Sequence, residues 1–133
     1  MRAKKLLYAE DNPDDLFIFS MALKRAALPH QLHAVEDGEN AIDWLRGEGE
    51  YANREKHPLP DVLILDLKMP RKTGFDVLEW LRDSGQFPHL PVVILSSSDD
   101  PRDIKRAQEL GVAGYFTKSA SCQDVIGYLA SLS

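Results

Sequence analysis

Five residues in this 133-residue chain are suited to handling a phosphoryl group: an acidic pair, Glu10-Asp11, a carboxylate, Asp66, a hydroxyl, Ser96, and a lysine, Lys118. Each follows or ends a short apolar run, so a fold that aligns those runs could bring all five together. Glu10, Asp11 and Asp66 held close would repel one another, and a hard divalent cation relieves that repulsion. Magnesium takes oxygen ligands, commonly one or two carboxylates completed by waters and a phosphate oxygen. A carboxylate can attack a phosphoryl group to give an acyl phosphate. The transferring group spreads its charge over three equatorial oxygens. One oxygen suits the cation, one the compact ammonium of Lys118, and one the Ser96 hydroxyl. Taken singly, Asp66 would read as a turn or capping residue and Glu10-Asp11 as caps of a following helix. The combination is what points to chemistry.

The elements that must position these groups alternate along the chain. Apolar runs at residues 6–9, 32–35, 62–65, 92–95 and 113–116 have the length of buried strands. Helical periodicity separates them. Leu16, Ser20, Leu23 and Ala27 define one face; Ala41, Ile42 and Leu45 a second; Val77, Leu78 and Leu81 a third. Ile104, Ala107 and Leu110 give a fourth face, and Cys122, Val125, Ile126, Leu129 and Leu132 a fifth. Asn12-Pro13 and Asp99-Asp100-Pro101 carry helix-start chemistry, and Gly111 is placed to end the fourth helix. Residues 47–60, with Gly47, Gly49, Pro58 and Pro60, read as a helix end followed by a surface loop. Five strands alternating with five helices predict an α/β domain with a parallel, doubly wound sheet covered on both faces. Sites in such folds lie beyond the carboxyl ends of the strands. The five chemical groups fall at those ends.

Composition narrows the function class. The length suits one domain, 1–133, with one core and no room for an output domain. A net charge of −5 argues against a nucleic-acid-binding basic face. One cysteine, Cys122, excludes an internal disulfide and suits a reducing compartment; its setting reads as structural. The four-residue apolar run after Lys4-Lys5 is too short for a signal peptide, and no stretch reaches membrane-spanning length, so a soluble, cytoplasmic protein is expected. The first strand is followed by Glu10-Asp11-Asn12-Pro13-Asp14-Asp15 rather than by a glycine-rich loop, which disfavours a nucleotide cradle.

The chain resembles the receiver domain of bacterial response regulators, CheY-like and flavodoxin-like in fold, over essentially its whole length. The matching segments are Leu6-Leu7-Tyr8-Ala9-Glu10-Asp11-Asn12, Asp37-Gly38, Asp66-Leu67-Lys68-Met69-Pro70 with Gly74, Leu95-Ser96-Ser97, and Gly114-Tyr115-Phe116-Thr117-Lys118. The resemblance implies the strand order 2-1-3-4-5. It makes Asp66 the phosphoacceptor, Asp11 a direct Mg2+ ligand, Glu10 a ligand mainly through water, and the Lys68 backbone carbonyl a further ligand, with Mn2+ or Ca2+ able to substitute. It makes Ser96 the switch hydroxyl, Tyr115 the switch aromatic that alternates between inward and outward rotamers, and Lys118 the phosphoryl contact. The implied partner is a sensor histidine kinase or a phosphotransfer protein, with a homodimer as one form of readout. Residues 47–60 and Lys118-Ser119-Ala120 look similar to small receivers paired with phytochrome-type kinases. Ser119 stands where the family usually has a proline, often across a cis bond, which leaves the Lys118–Ser119 isomer open. Lys68 and Ser98 occupy positions that vary in the family and tune hydrolysis.

Three other readings compete. A haloacid-dehalogenase-type phosphatase would carry a second aspartate two residues after the nucleophile, where this chain has Lys68. A receiver-like binding module independent of phosphorylation would not need the full set of five groups. A flavodoxin-like electron carrier is disfavoured by the acidic first loop. A signalling switch, rather than a turnover enzyme, is the expectation.

Overall fold

A computed structural model describes residues 3–119 and 122–132. Five strands, β1 (Lys5–Ala9), β2 (Gln31–Val35), β3 (Val62–Leu65), β4 (Val92–Ser96) and β5 (Gly114–Thr117), form one sheet in the order β2-β1-β3-β4-β5. Every pairing is parallel. The helices are α1 (Pro13–Arg25), α2 (Gly38–Arg46), α3 (Gly74–Ser84), α4 (Pro101–Glu109) and α5 (Gln123–Ala130). No helix of the described residues is long and apolar enough to cross a membrane.

Alternate strand residues divide the core into two layers. Leu7, Ala9, Leu63, Leu65 and Ile94 pack with Ile42, Leu45, Val77, Leu78 and Ala107 of α2, α3 and α4. Leu6, Tyr8, Ile64, Val93 and Leu95 pack with Phe19, Leu23, Val125 and Leu129 of α1 and α5. This is the doubly wound arrangement, and each fully buried Leu or Ile contributes about 2 kcal/mol.

Coverage is complete only in the middle of the sheet. β3 and β4 are buried throughout, and β1 after its first residue. In β2 only Val35 is buried, and no residue of β5 is fully buried. Both are edge strands with a neighbour on one side, so the expected two-sided cover fails there. The apolar stripe of α1 is also displaced from the sequence reading. Phe19, Ala22 and Leu23 are buried, whereas Ala27 lies beyond the helix at φ 53 and is exposed. Leu132 likewise falls past the end of α5.

Helix starts follow their local chemistry. Asn12 caps α1, accepting from the Asp14 and Asp15 amides with Pro13 in the first turn, and Asp100 caps α4. Thr73 and Asp76 form a reciprocal capping box on α3. Leu110 is the C-cap of α4, with Gly111 just beyond it at φ 84.

The 47–60 segment is more than a surface loop. It contains a 3-10 turn, Gly49–Tyr51, with Tyr51 buried. Arg54 donates to the carbonyls of Trp44, Leu45 and His57, so its guanidinium satisfies the open end of α2. Trp44 Nε1 donates to the Pro58 carbonyl at 2.8 Å, and its indole packs among Tyr51, His57 and His33.

Candidate functional site

Sheet register brings the site together. Ala9 pairs with Leu65, so the next residues, Glu10 and Asp66, leave adjacent strands side by side. The Asp66 amide donates to the Ala9 carbonyl at 3.1 Å and fixes that exit. Ser96 pairs with Thr117, and the Lys118 amide donates to the Ser96 carbonyl at 2.8 Å. Four of the five groups read from the sequence are therefore placed by backbone pairing alone. Asp11 follows Glu10 into the exposed mouth.

The carboxylates converge. Oxygens of Glu10, Asp11 and Asp66 lie within 4.8 Å of one another. Lys118 is the cation among them, with Nζ 2.7 Å from Glu10 Oε2, 2.8 Å from Asp15 Oδ2 and 3.0 Å from Asp66 Oδ2. Asp15 belongs to the acidic segment after β1, and nothing in its spacing marks it for the site. It reaches the site because the first turn of α1 sets it facing the end of β5.

Glu10 is buried, and its two oxygens are held by the Tyr8 hydroxyl at 3.2 Å and the Asn12 amide at 3.0 Å. Burial pushes its carboxyl up to about 7, against the opposing pull of Lys118 and the Asn12 amide. Burial by itself would lower the Lys118 ammonium, but hydrogen bonds to Asp15, Glu10 and Asp66 hold it above its ordinary value. Burial and the neighbouring Glu10 likewise keep the Tyr8 phenol protonated.

The nucleophile loop is held tightly. Asp66 Oδ1 accepts from the Lys68 amide at 3.3 Å, while the Lys68 side chain is exposed. A Cβ on Gly74 would stand 2.4 Å from the Asp66 carbonyl oxygen, which explains the glycine. A Cβ on Gly38 would stand 2.4 Å from the Lys72 carbonyl, which accepts from the Gly38 amide at 3.0 Å. Asp37, 1% exposed, accepts from the Asn40 amide and from both Arg71 Nε and Nη2. The Asp37-Gly38 motif thus ties the β2–α2 junction to the loop after Asp66.

Ser96 is fully buried, and its hydroxyl oxygen accepts from the Ser98 amide at 3.2 Å. Ser98 in turn donates to Asp103 at 2.7 Å, and Tyr115 donates through its hydroxyl to the Ser98 carbonyl at 2.7 Å. The Tyr115 ring is half-buried and packs against the α2–α3–α4 layer. No cis peptide occurs among the described residues, so Lys118–Ser119 is trans. Cys122 is buried, with burial raising its thiol, as suits a structural residue. Ala120 lies outside the described residues.

Lys118 answers Glu10, Asp15 and Asp66 alone, and Asp11 adds a fourth carboxylate beside Glu10 and Asp66, which leaves a surplus of negative charge on hard oxygen donors. That donor set fits a small divalent cation, which Glu10, Asp11 and Asp66 would hold.

Residues 6–130 match the family model described as the response regulator receiver domain. The chain belongs to that family. The receiver is 34% identical to the response regulator Rcp1 of Synechocystis sp., over 92% of this chain and 81% of that one. Its structure is similar to that of the phosphorylated cyanobacterial phytochrome response regulator RcpA. The TM-score is 0.82 and the identity 37%, covering 96% of this chain and 89% of that one. It is also similar to the Mn(2+)-bound form of Rcp1, at TM-score 0.83 and 30% identity, covering 98% and 97% of the two chains. The receiver family is one of two-component signalling rather than of turnover enzymes. The sheet order of the receiver is the one its sequence motifs implied.

Proposed function

We propose that Asp66 is the phosphoacceptor of a two-component phosphorelay, charged by a phosphohistidine on a sensor kinase or phosphotransfer protein. A carboxylate oxygen of Asp66 bonds to phosphorus as the donor's phosphorus–nitrogen bond breaks, and the imidazole leaves with the electron pair. The observation that carries this reading is the placement of Asp66 against Lys118 Nζ at 3.0 Å, inside a ring of carboxylates that needs a cation. Mg2+, or Mn2+ or Ca2+ in its place, would be held by Glu10, Asp11, Asp66 and the Lys68 backbone carbonyl. It would offset charge on the transferring oxygens. Lys118 and Ser96 stabilise the remaining oxygens, and the same groups support a slow self-catalysed hydrolysis.

Tyr115 and the Ser96–Ser98 segment form the switch. Phosphorylation biases two existing arrangements of this corner, read out by a partner protein, a second copy of the chain, or onward transfer. The likeness to a phytochrome response regulator supports a phytochrome-like kinase as the donor. The reading places the protein in the cytoplasm, where a lone cysteine suits reducing conditions.

The test is intact-protein mass after incubation with acetyl phosphate. A gain of one phosphoryl group that requires Mg2+ and is absent in Asp66→Asn is expected. No gain under any condition would replace the reading with a phosphorylation-independent binding module. A phosphotransfer profile that prefers an unrelated kinase would remove the phytochrome assignment.

A further inference from the structure

We propose that Asp15 is a positioning residue for Lys118, providing the seat that keeps the ammonium beside Asp66 when a divalent cation takes up the other carboxylates. The inference rests on the phosphoacceptor reading of Asp66. Lys118 presently spans Glu10 Oε2, Asp15 Oδ2 and Asp66 Oδ2 at 2.7, 2.8 and 3.0 Å. Two of those partners, Glu10 and Asp66, also belong to the carboxylate trio suited to a cation. Asp15 does not. A cation and an ammonium therefore compete for the same two side chains, and Asp15 is the one carboxylate in contact with Lys118 that the competition leaves free.

Geometry supports a short displacement. Asp15 and Lys118 line a cleft of about 330 Å3 with Tyr8, Ile18, Leu95, Ser119 and Cys122. The ammonium can swing toward Asp15 within that cleft while its backbone stays pinned to Ser96. Glu10 is closed to such exchange on its other side, because Tyr8 and the Asn12 amide hold it in place. Asp15 is also held firmly. It sits in the first turn of α1, where Asn12 caps the helix. An ammonium with no second seat would either resist the cation or be displaced into solvent, away from the phosphoryl oxygens it must meet.

The test is a double-mutant cycle on cation affinity. Calorimetric titration with Mn2+ alone is carried out on wild type, Asp15→Asn, Lys118→Met and the double variant. Asp15→Asn keeps the shape and removes the charge. If Asp15 acts through Lys118, its loss weakens Mn2+ binding about tenfold in wild type and changes it less than about twofold once Lys118 is gone. An equal loss in both backgrounds would assign the effect to through-space charge and overturn the proposal, as would no loss in either. Lys118→Gln repeats the cycle if the methionine variant folds poorly. A parallel reading of phosphoryl gain from acetyl phosphate should follow the same pattern, with a slower gain in Asp15→Asn. Absence of any gain in wild type would overturn the phosphoacceptor reading, while the Mn2+ cycle would still decide the role of Asp15.

Discussion

Asp37, beyond β2, and the carboxylate cluster beyond the neighbouring strands β1 and β3 are built differently. Asp37, at the start of α2, is buried and answered in full. The Asn40 amide, the Asn40 side chain and the Arg71 guanidinium all donate to it. Glu10, Asp15 and Asp66 share one lysine, and Asp11 adds a fourth charge at the mouth. The first arrangement is electrostatically closed and serves the fold. The second has anion to spare and is stabilised by adding a cation or by removing a carboxylate. Burial alone does not separate the two, since Asp37 and Glu10 are both nearly inaccessible. The count of donors against acceptors does.

Opposite responses to neutralisation would sharpen the contrast most. We predict that Asp66→Asn abolishes phosphoryl gain yet raises metal-free stability by about 1 kcal/mol, because it removes one of several repelling charges. Asp37→Ala should keep phosphoryl gain and lose about 2 kcal/mol, through the lost cap and the donors left without partners. Urea denaturation beside intact mass measures both. Two changes of the same sign in stability would break the comparison.

The pH dependence comes next in size. Glu10 titrates near 7 in the folded protein, above its ordinary value of 4.5. Between those values the folded state holds a proton that the unfolded state has released. The metal-free protein therefore loses stability from this group as pH rises from about 4.5 through 7. Added Mg2+ favours the ionised form, so its stabilising effect should grow over the same interval. Melting curves at pH 5.5 and 8 with and without Mg2+ check this, and Glu10→Gln should flatten the metal-free slope. A metal-free protein more stable at pH 8 than at 5.5 through Glu10 would contradict the assignment.

The smallest effect concerns Tyr8, whose hydroxyl reaches Glu10 from within the core. Tyr8→Phe leaves the ring packed edge-on to Phe19 at 5.0 Å and deletes one hydrogen bond. A loss of about 0.5–1 kcal/mol is expected, together with weaker Mn2+ binding, because Glu10 is less firmly aimed. Unchanged Mn2+ affinity would show that Asn12 and Lys118 suffice to orient it.

Much of this was legible in the chain. Alternating apolar runs and helical stripes gave the α/β class, and Asn12-Pro13 and Asp100-Pro101 marked helix starts the structure retains. Where periodicity is weak, residue spacing alone misplaces the buried face. The α1 face centres on Phe19, Ala22 and Leu23, since Ala27 stands outside the helix. The polarity of the 47–60 segment reads as a surface loop and leaves no sign that Arg54 closes the end of α2 or that the Pro58 carbonyl accepts from Trp44 of that helix.

The sequence by itself determined which groups sit at strand ends, because strand length and chain order are local properties. From that, Glu10, Asp11, Asp66, Ser96 and Lys118 could be named as one set. Only the tertiary structure decided which of them touch, and which unassigned residues join them. Lys118 meets Asp15 across 103 residues, and Arg71 meets Asp37 across 34. Those contacts depend on sheet register and on the rotation of each helix over the sheet. Register is set by pairing between distant strands, and rotation by packing of whole apolar faces. Neither leaves a mark in the spacing of the residues concerned.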